Sequence, residues 1–249
     1  MVAQWLPAPM VLPYVPHLIV LVPAAALVWG CADSAFELVP RTWLVPPVVW
    51  TRAFLLGVAP WAPWVFGAAT TSFVTAARLA SDGAGGMPIA FSGTVAAGTL
   101  LTGVLVQPPA RRLGHRDAAL LPVTGLVLCA VGLVLTAGVA GDDGSRGQLL
   151  LIVPVALLLG AAYGILLIAG LLAVERLVPP AELAGTVAVF YVLIYLGFAA
   201  PYVLTLLSGG TRYVPWLMGG AAVALLTVPV VVATAAVEGR RRSSADAVR

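Results

Sequence analysis

Residues 149–174 read LLLIVPVALLLGAAYGILLIAGLLAV, and none of these 26 residues is charged. An α-helix rises about 1.5 Å per residue, so this segment would be about 39 Å long as a helix. The hydrocarbon core of a bilayer is about 30 Å thick. The segment therefore predicts a membrane-spanning helix and a chain that belongs in a bilayer.

The composition of the whole chain agrees with this interpretation. Of 249 residues, 61% are hydrophobic and 9% are charged, and the mean hydropathy is +1.04. A soluble domain has about 25% charged residues, so the composition excludes a soluble enzyme, a nucleic-acid-binding protein and a disordered protein. At about 20 residues per crossing, the length allows seven spans with short loops.

We predict an all-α integral membrane protein with about seven transmembrane helices. Apolar runs between charges, glycine and proline define the spans, which are numbered 1 to 7 in chain order: 17–32, 53–80, 87–106, 118–140, 149–174, 183–207 and 213–237. Span 1 is the weakest, because its 16 residues reach only about 24 Å as a helix and Pro23 interrupts it. A short or tilted helix is expected there.

The arginines predict the orientation of the chain in the cell membrane. All 13 basic residues are Arg; ten of them lie after spans 1, 3, 5 and 7, and three lie in the other breaks. Cytoplasmic loops carry the excess of basic residues, so the C-terminus is expected in the cytoplasm and the N-terminus outside. The basic charge thus indicates membrane topology and no nucleic-acid partner, and the polar tail 238–249 is expected to be cytoplasmic and disordered.

The loop QPPARRLGHRD (107–117) joins spans 3 and 4. It resembles the loop after the second helix of each half of major facilitator superfamily transporters, whose pattern is Gly, three residues, Asp, Arg, any residue, Gly, Arg, Arg. Arg112, Gly114 and Arg116 match this pattern, whereas Arg111 stands in place of the Asp. The resemblance implies a cytoplasmic gate loop formed by Arg111, Arg112, Gly114, Arg116 and Asp117, in which Arg112 and Asp117 are expected to latch the inward gate.

Two further stretches extend the resemblance. The sequence ERLVPPAELAG (175–185), followed by YLGFAAP (195–201), is similar to the turn between helices ten and eleven of bacterial facilitator exporters and to the helix after it. The start of the chain resembles the outer loop that enters helix six. The resemblance implies an outer loop and first helix (1–32), a cytoplasmic linker (33–52), a six-helix half made of two three-helix repeats (53–237) and the tail. It also implies a chain that starts after helix five of a twelve-helix transporter.

The resemblance implies a substrate cavity lined by spans 2 and 5, the counterparts of helices seven and ten. Its candidate residues are Trp61, Trp64 and Thr71 in span 2, Tyr163 in span 5 and Tyr195 in span 6. Trp64 and Thr71 are seven residues apart and so share one helical face. An aromatic and hydroxyl wall suits a hydrophobic or amphipathic molecule, although tryptophans that pack against lipid or form an interfacial belt would have the same pattern.

Prolines predict irregular helices in the two spans that would line the cavity. Pro60 and Pro63 are expected to break span 2, and Pro154 is expected to do the same in span 5. No Asp, Glu, Lys or Arg falls at the middle of any predicted span, so an ion-coupling group is expected outside this chain.

The leading hypothesis is transport of a small, hydrophobic or drug-like molecule as part of a secondary transporter, with the bilayer, the substrate and either an N-terminal half or a second copy as partners. A truncated fragment that inserts without transporting is the alternative. An intramembrane enzyme is disfavoured, because the span serines have no neighbouring base. No cofactor or metal is expected, since Cys31 and Cys129 have no second ligand at metal-binding spacing.

Overall fold

The computed structural model describes residues 11–12, 14–31, 45–114, 117, 119–142 and 145–246, without the side chains of 84, 145 and 238–246. In this part of the chain the regular structure is helical, and no strand occurs. Five helices are long and apolar enough to cross a membrane. The predicted fold class, an all-α multi-pass membrane protein, is confirmed.

The α-helices in chain order are α1 Tyr14–Trp29, α2 Arg52–Gly57, α3 Trp64–Thr70, α4 Ala77–Leu79, α5 Pro88–Gly114, α6 Leu120–Gly141, α7 Ser145–Leu177, α8 Pro180–Tyr195, α9 Ala200–Ser208 and α10 Tyr213–Asp246. Span 1 is α1, span 2 is formed by α2–α4, and spans 3, 4 and 5 are α5, α6 and α7. The helices α8 and α9 form span 6, and α10 forms span 7.

Span 1 is a short helix, as predicted. It has 16 residues and none of them is buried, so it contributes nothing to the hydrophobic core. Spans 2–7 share one core, to which each of them contributes buried apolar side chains. These six spans are therefore the packed unit of the protein.

Span 2 is broken near its start, as its prolines predict. The helix α2 ends at Gly57 and α3 begins at Trp64, directly after Pro63. Proline lacks the backbone N–H that an α-helix needs, and its ring crowds the preceding turn. A second irregularity follows α3, where Thr71–Ala76 forms a π-helix that the sequence analysis does not predict.

Span 5 does not break at Pro154, where a break is expected. The helix α7 continues through this residue from Ser145 to Leu177. One proline removes a single backbone hydrogen bond, and packing against neighbouring helices holds such a helix together within a membrane protein. Span 2 is interrupted at Pro60 and Pro63, whereas α5 continues through the adjacent Pro108 and Pro109.

The packing of spans 2–7 has an internal symmetry. Span 5 packs against spans 3 and 4, and span 2 correspondingly packs against spans 6 and 7. Spans 2 and 5 also contact each other, as do spans 4 and 7. If spans 2, 3 and 4 are exchanged for spans 5, 6 and 7, these contacts map onto one another or onto themselves, whereas the contact of span 2 with span 4 has no comparable counterpart between spans 5 and 7 in the described residues. The packing of spans 2–4 is thus repeated in part by spans 5–7.

Glycines permit the closest helix crossings in each half of this pattern. A Cβ at Gly160 or Gly164 in span 5 would collide with the carbonyl groups of Thr99 and Gly103 in span 3. A Cβ at Gly197 in span 6 would collide with the backbone of Pro63 and Gly67 in span 2. Small residues allow helix backbones to approach this closely within a bilayer.

The predicted disorder of the tail is wrong as far as Asp246. The helix α10 continues from span 7 through the sequence AAVEGRRRSSAD to that residue. Alanine and arginine have high helix propensity, so an established membrane helix can extend through them. The predicted domain boundary near Val237 is therefore not marked by a change of secondary structure, and residues 33–44 of the predicted linker lie outside the described part of the chain.

Candidate functional site

Four aromatic rings from three spans form a stacked cluster, called here the aromatic cluster. Phe66 of span 2 is at its centre. Its ring centroid is 4.6 Å from that of Phe198, 5.4 Å from that of Tyr195 and 5.8 Å from that of Tyr163. The rings of Tyr195 and Phe198 also stack, at 5.7 Å. Distances of 4.5–7 Å are typical of attractive ring pairs.

The local backbone places each ring. Pro63 precedes the first residue of α3, so Phe66 lies one turn into a new helix. The 3-10 helix Leu196–Ala199 follows Tyr195, and residues three apart are neighbours on a helix surface, which brings Phe198 beside Tyr195. Tyr163 lies over Gly103 of span 3, where any side chain would collide with its ring.

The cluster offers ring faces to a ligand. The side chains of Tyr195 and Phe198 are 55% and 48% exposed, whereas Phe66 and Tyr163 are partly buried against the core. Aromatic faces bind apolar groups and organic cations. No group of three His, Cys, Asp or Glu side chains that could hold a metal ion occurs in the described residues.

Tyr163 and Tyr195 are the two predicted cavity residues that lie in this cluster. Phe66 belongs to the aromatic side chains that the sequence places in span 2, whereas Phe198 and Tyr191 are not predicted; the ring of Tyr191 is 6.2 Å from that of Tyr195. The spacing of Tyr191, Tyr195 and Phe198, four and then three residues apart, is the signal that marks them as one helix face.

Trp61 does not belong to a cavity wall. Its side chain is 1% exposed and its ring packs edge-on against that of Phe190 at 6.4 Å. The indole Nε1 donates a hydrogen bond of 2.5 Å to the carbonyl oxygen of Gly57, the last residue of α2. Trp61 therefore stabilises the break in span 2.

Trp64 and Thr71 lie together, as their spacing predicts, but on a different surface from Tyr163. Both line an apolar groove of about 500 Å³ between spans 2, 4, 6 and 7, called here the lateral groove. Its other lining residues are Pro63, Gly67, Leu133, Leu196, Gly197, Ala199, Ala200, Val203, Leu204, Leu207, Trp216, Leu217, Gly219, Gly220 and Val223. The predicted cavity residues are thus divided between two surfaces and the core.

Hydroxyl groups connect span 2 to its neighbours near these surfaces. Thr70 Oγ1 donates to the carbonyl of Gly197 at 3.2 Å, and Ser72 Oγ lies 2.8 Å from Thr99 Oγ1 in span 3. Thr75 Oγ1 is buried and has no hydrogen-bond partner among the described residues. A buried hydroxyl without a partner costs free energy, so Thr75 is a weak point of the π-helical segment.

Residues 107–114 of the predicted gate loop form the end of α5 rather than a loop, and this helix end is held by span 5. Arg111 lies 3.6 Å from Glu175, and the guanidinium of Arg176 donates to the carbonyl of Gly114, the last residue of α5. The last carbonyls of a helix have no partner within it, so Arg176 caps α5 from a neighbouring helix. The sequence analysis does not assign Glu175 or Arg176 to this site, because only the fold brings them to the loop.

The latch role of Arg112 and Asp117 concerns the inward gate of a whole transporter and stays a prediction. Arg112 is exposed, and Asp117 Oδ1 accepts a hydrogen bond of 2.8 Å from the backbone N–H of Ala119 just before α6. Aspartate commonly bonds the backbone two residues further on. Gly114 is buried, and Arg116 lies outside the described residues.

No protein-family model matches the sequence, and comparisons with curated proteins and with solved structures give no match either.

Proposed function

We propose that the chain forms part of a secondary transporter of the major facilitator type and moves a small, hydrophobic or drug-like molecule across the cell membrane. The observation that carries this proposal is the partly symmetric packing of spans 2–4 and spans 5–7, three spans each. Three spans per unit is an odd number, so the second unit enters the membrane in the opposite direction to the first. Inverted repeats of this kind build many secondary transporters.

The gate loop supports the same proposal. QPPARRLGHRD, the stretch that resembles a facilitator loop, lies at an end of the bundle where Arg111 and Arg176 join spans 3 and 5. A loop tied to a neighbouring span in this way can hold one end of the bundle closed. The arginine distribution supports a cytoplasmic position for this end and for the C-terminus.

The aromatic cluster supports the proposed substrate class. It joins span 2 to spans 5 and 6 through ring faces, and a lipophilic cation or a planar aromatic molecule can stack on them. Transport by rocking needs a second bundle. We propose that an N-terminal half or a second copy of the chain supplies it.

Export of a fluorescent lipophilic cation from preloaded cells tests the proposal. Tyr195→Ala removes a ring of the cluster, and Tyr202→Ala is the matched control, because Tyr202 is also exposed on span 6, at 72%, but outside the cluster. One cation–π contact contributes about 0.5–1 kcal/mol at an exposed site and about 2 kcal/mol when desolvated. We expect Tyr195→Ala to weaken the apparent affinity for the dye roughly threefold to tenfold and Tyr202→Ala to leave it unchanged.

The assay is run with this chain alone and with any coding region that precedes it restored, at equal membrane abundance. Export only with that region restored would identify a second bundle in the same transporter. Transport would be rejected if the dye left the cells no faster than it leaves cells without the protein, both with this chain alone and with the preceding region restored. Equal loss in the two tyrosine variants would reject the aromatic cluster as the substrate surface.

A further inference from the structure

We propose that the lateral groove binds one anionic phospholipid, with an acyl chain in the groove and the phosphate beside Arg212. This inference goes beyond the proposed transport function, because the lateral groove and the aromatic cluster are different surfaces. It depends on the shape of the groove, on the cation at its end and on the position of Trp216.

The groove exists because its lining residues are small. Gly67, Gly197, Gly219 and Gly220 contribute no side chain, and an ideal Cβ at Gly219 would meet no atom within 4 Å. The remaining lining is apolar apart from the Thr71 hydroxyl. Such a surface, open beside spans 6 and 7, suits a hydrocarbon chain and offers little to a polar ligand.

The length of the groove matches one leaflet of a bilayer. Its lining on span 6 runs from Leu196 to Leu207, and eleven residue steps at about 1.5 Å give roughly 16 Å. Half of the hydrocarbon core of a bilayer is about 15 Å. An acyl chain that begins at the end of span 6 would therefore reach the middle of the membrane along this surface.

The groove adjoins a second pocket, and the cationic side chain of Arg212 lines that pocket. Leu207 and Trp216 line both cavities, and the second one is also lined by Ser208, Gly209, Arg212 and Pro215. Within the described part of the chain, Arg212 has no carboxylate within 4.0 Å, since the ion pair found there joins Arg111 and Glu175. A guanidinium binds phosphate strongly because it presents paired N–H donors.

The backbone N–H groups of Gly209 and Gly210, just before Arg212, already have hydrogen-bond acceptors and are not available to a phosphate. Gly209 and Gly210 have φ values of +60° and +80°, and their N–H groups already donate to the carbonyls of Leu206 and Thr205. Gly210 N–H also donates to Ser208 Oγ. The guanidinium of Arg212 is therefore the charged group of this turn that can bind an anion.

Trp216 indicates that this pocket lies at headgroup depth. Its side chain is 42% exposed and separates the apolar groove from the pocket of Arg212. Tryptophan is enriched at the membrane–water interface, where its ring meets hydrocarbon and its N–H meets water. The apolar groove, the indole of Trp216 and the guanidinium of Arg212 thus follow one another along the surface. This order matches the acyl chain, the interfacial region and the phosphate of a phospholipid.

The test is lipid retention by the full chain in mild detergent, measured by native mass spectrometry with phosphatidylglycerol and with phosphatidylcholine of the same acyl chains. The native chain is expected to retain one phosphatidylglycerol about tenfold more strongly than phosphatidylcholine. Arg212→Gln is expected to abolish this preference, whereas Arg78→Gln, at an exposed arginine at the same end of the bundle, is expected to keep it. Equal loss in both variants would overturn the headgroup assignment in favour of a general effect of positive charge.

Filling the groove tests the acyl-chain site. Gly219→Leu and Val223→Trp are expected to weaken retention of both lipids at least tenfold, and Gly98→Leu, at a glycine that also has open space around it, is expected to have no effect. Thermal unfolding without added lipid verifies that each variant is folded, and the second groove variant replaces the first if one fails. Retention that is unchanged in a folded groove variant would overturn the proposal.

Discussion

Gly164→Ala is expected to destabilise the bundle strongly although it adds a single methyl group. An ideal Cβ at Gly164 would lie 2.7 Å from Val106 Cγ2 and 2.8 Å from the carbonyl carbon of Gly103, and closer still to the carbonyl oxygen. Ordinary contacts of a Cβ begin at 3.4 Å. Spans 3 and 5 would therefore have to separate by at least about 0.6 Å, a gap that forfeits at least a quarter of the dispersion attraction between facing atoms.

The expected cost follows from the rigidity of the obstacle. Overpacking a close-packed interior costs about 1–3 kcal/mol, and here a backbone carbonyl, which cannot change rotamer, blocks the new methyl group. We expect a loss of about 3 kcal/mol in the free energy of unfolding. Gly98→Ala in span 3 is the control, because a Cβ there meets nothing within 4 Å. It should stabilise the helix by about 0.5–1 kcal/mol through the lower backbone entropy of alanine in the unfolded state.

Reversible unfolding in mixed micelles, titrated with a denaturing detergent and followed by tryptophan fluorescence, measures both values. The two substitutions should differ by about 3–4 kcal/mol, since the expected changes have opposite signs. A difference below about 1 kcal/mol would refute the reasoning, because the crossing of spans 3 and 5 would then not depend on the close approach of their backbones.

Three further predictions concern single groups. Thr75→Val should raise the free energy of unfolding by about 1 kcal/mol, because it replaces a buried hydroxyl that has no partner among the described residues with a methyl group; a loss of stability in the same titration would mean that the hydroxyl is bonded. Glu175→Gln should change stability by less than about 1 kcal/mol, because its ion pair with Arg111 is 43–55% exposed. Arg176→Met keeps the apolar stem but removes the donor to Gly114, so it should lower the free energy of unfolding by at least about 1 kcal/mol. Arg112→Met is the control and should leave the free energy of unfolding unchanged. Equal effects of the two arginine substitutions would exclude the cap on α5.

The sequence predicts the spans well, because hydropathy is a property of consecutive residues. Spans 3 to 7 each coincide with a helix or helix pair, and the break at Pro60 and Pro63 follows from the chemistry of proline. Hydropathy does not tell which neighbour an apolar side chain faces. Span 1 and span 4 are similarly apolar, yet α1 buries no residue while α6 buries 11 of its 22 residues.

The division of the candidate residues could not be predicted for a related reason. Trp61 and Trp64 are three residues apart and would share a face of a continuous helix. The interruption between Gly57 and Trp64 removes this relation, so one indole enters the core and the other lines the lateral groove. Arg176 and Gly114 are 62 positions apart, and contacts over such separations follow from the packing of spans rather than from local spacing.

The two irregularities of span 2 set the bounds of α3. Seven residues, Trp64–Thr70, lie between the proline break on one side and the π-helix on the other. This short rod carries Phe66 towards the aromatic cluster and Trp64 towards the lateral groove. Because one segment supplies a residue to each surface, a rotation of α3 would change the shape of both surfaces at once.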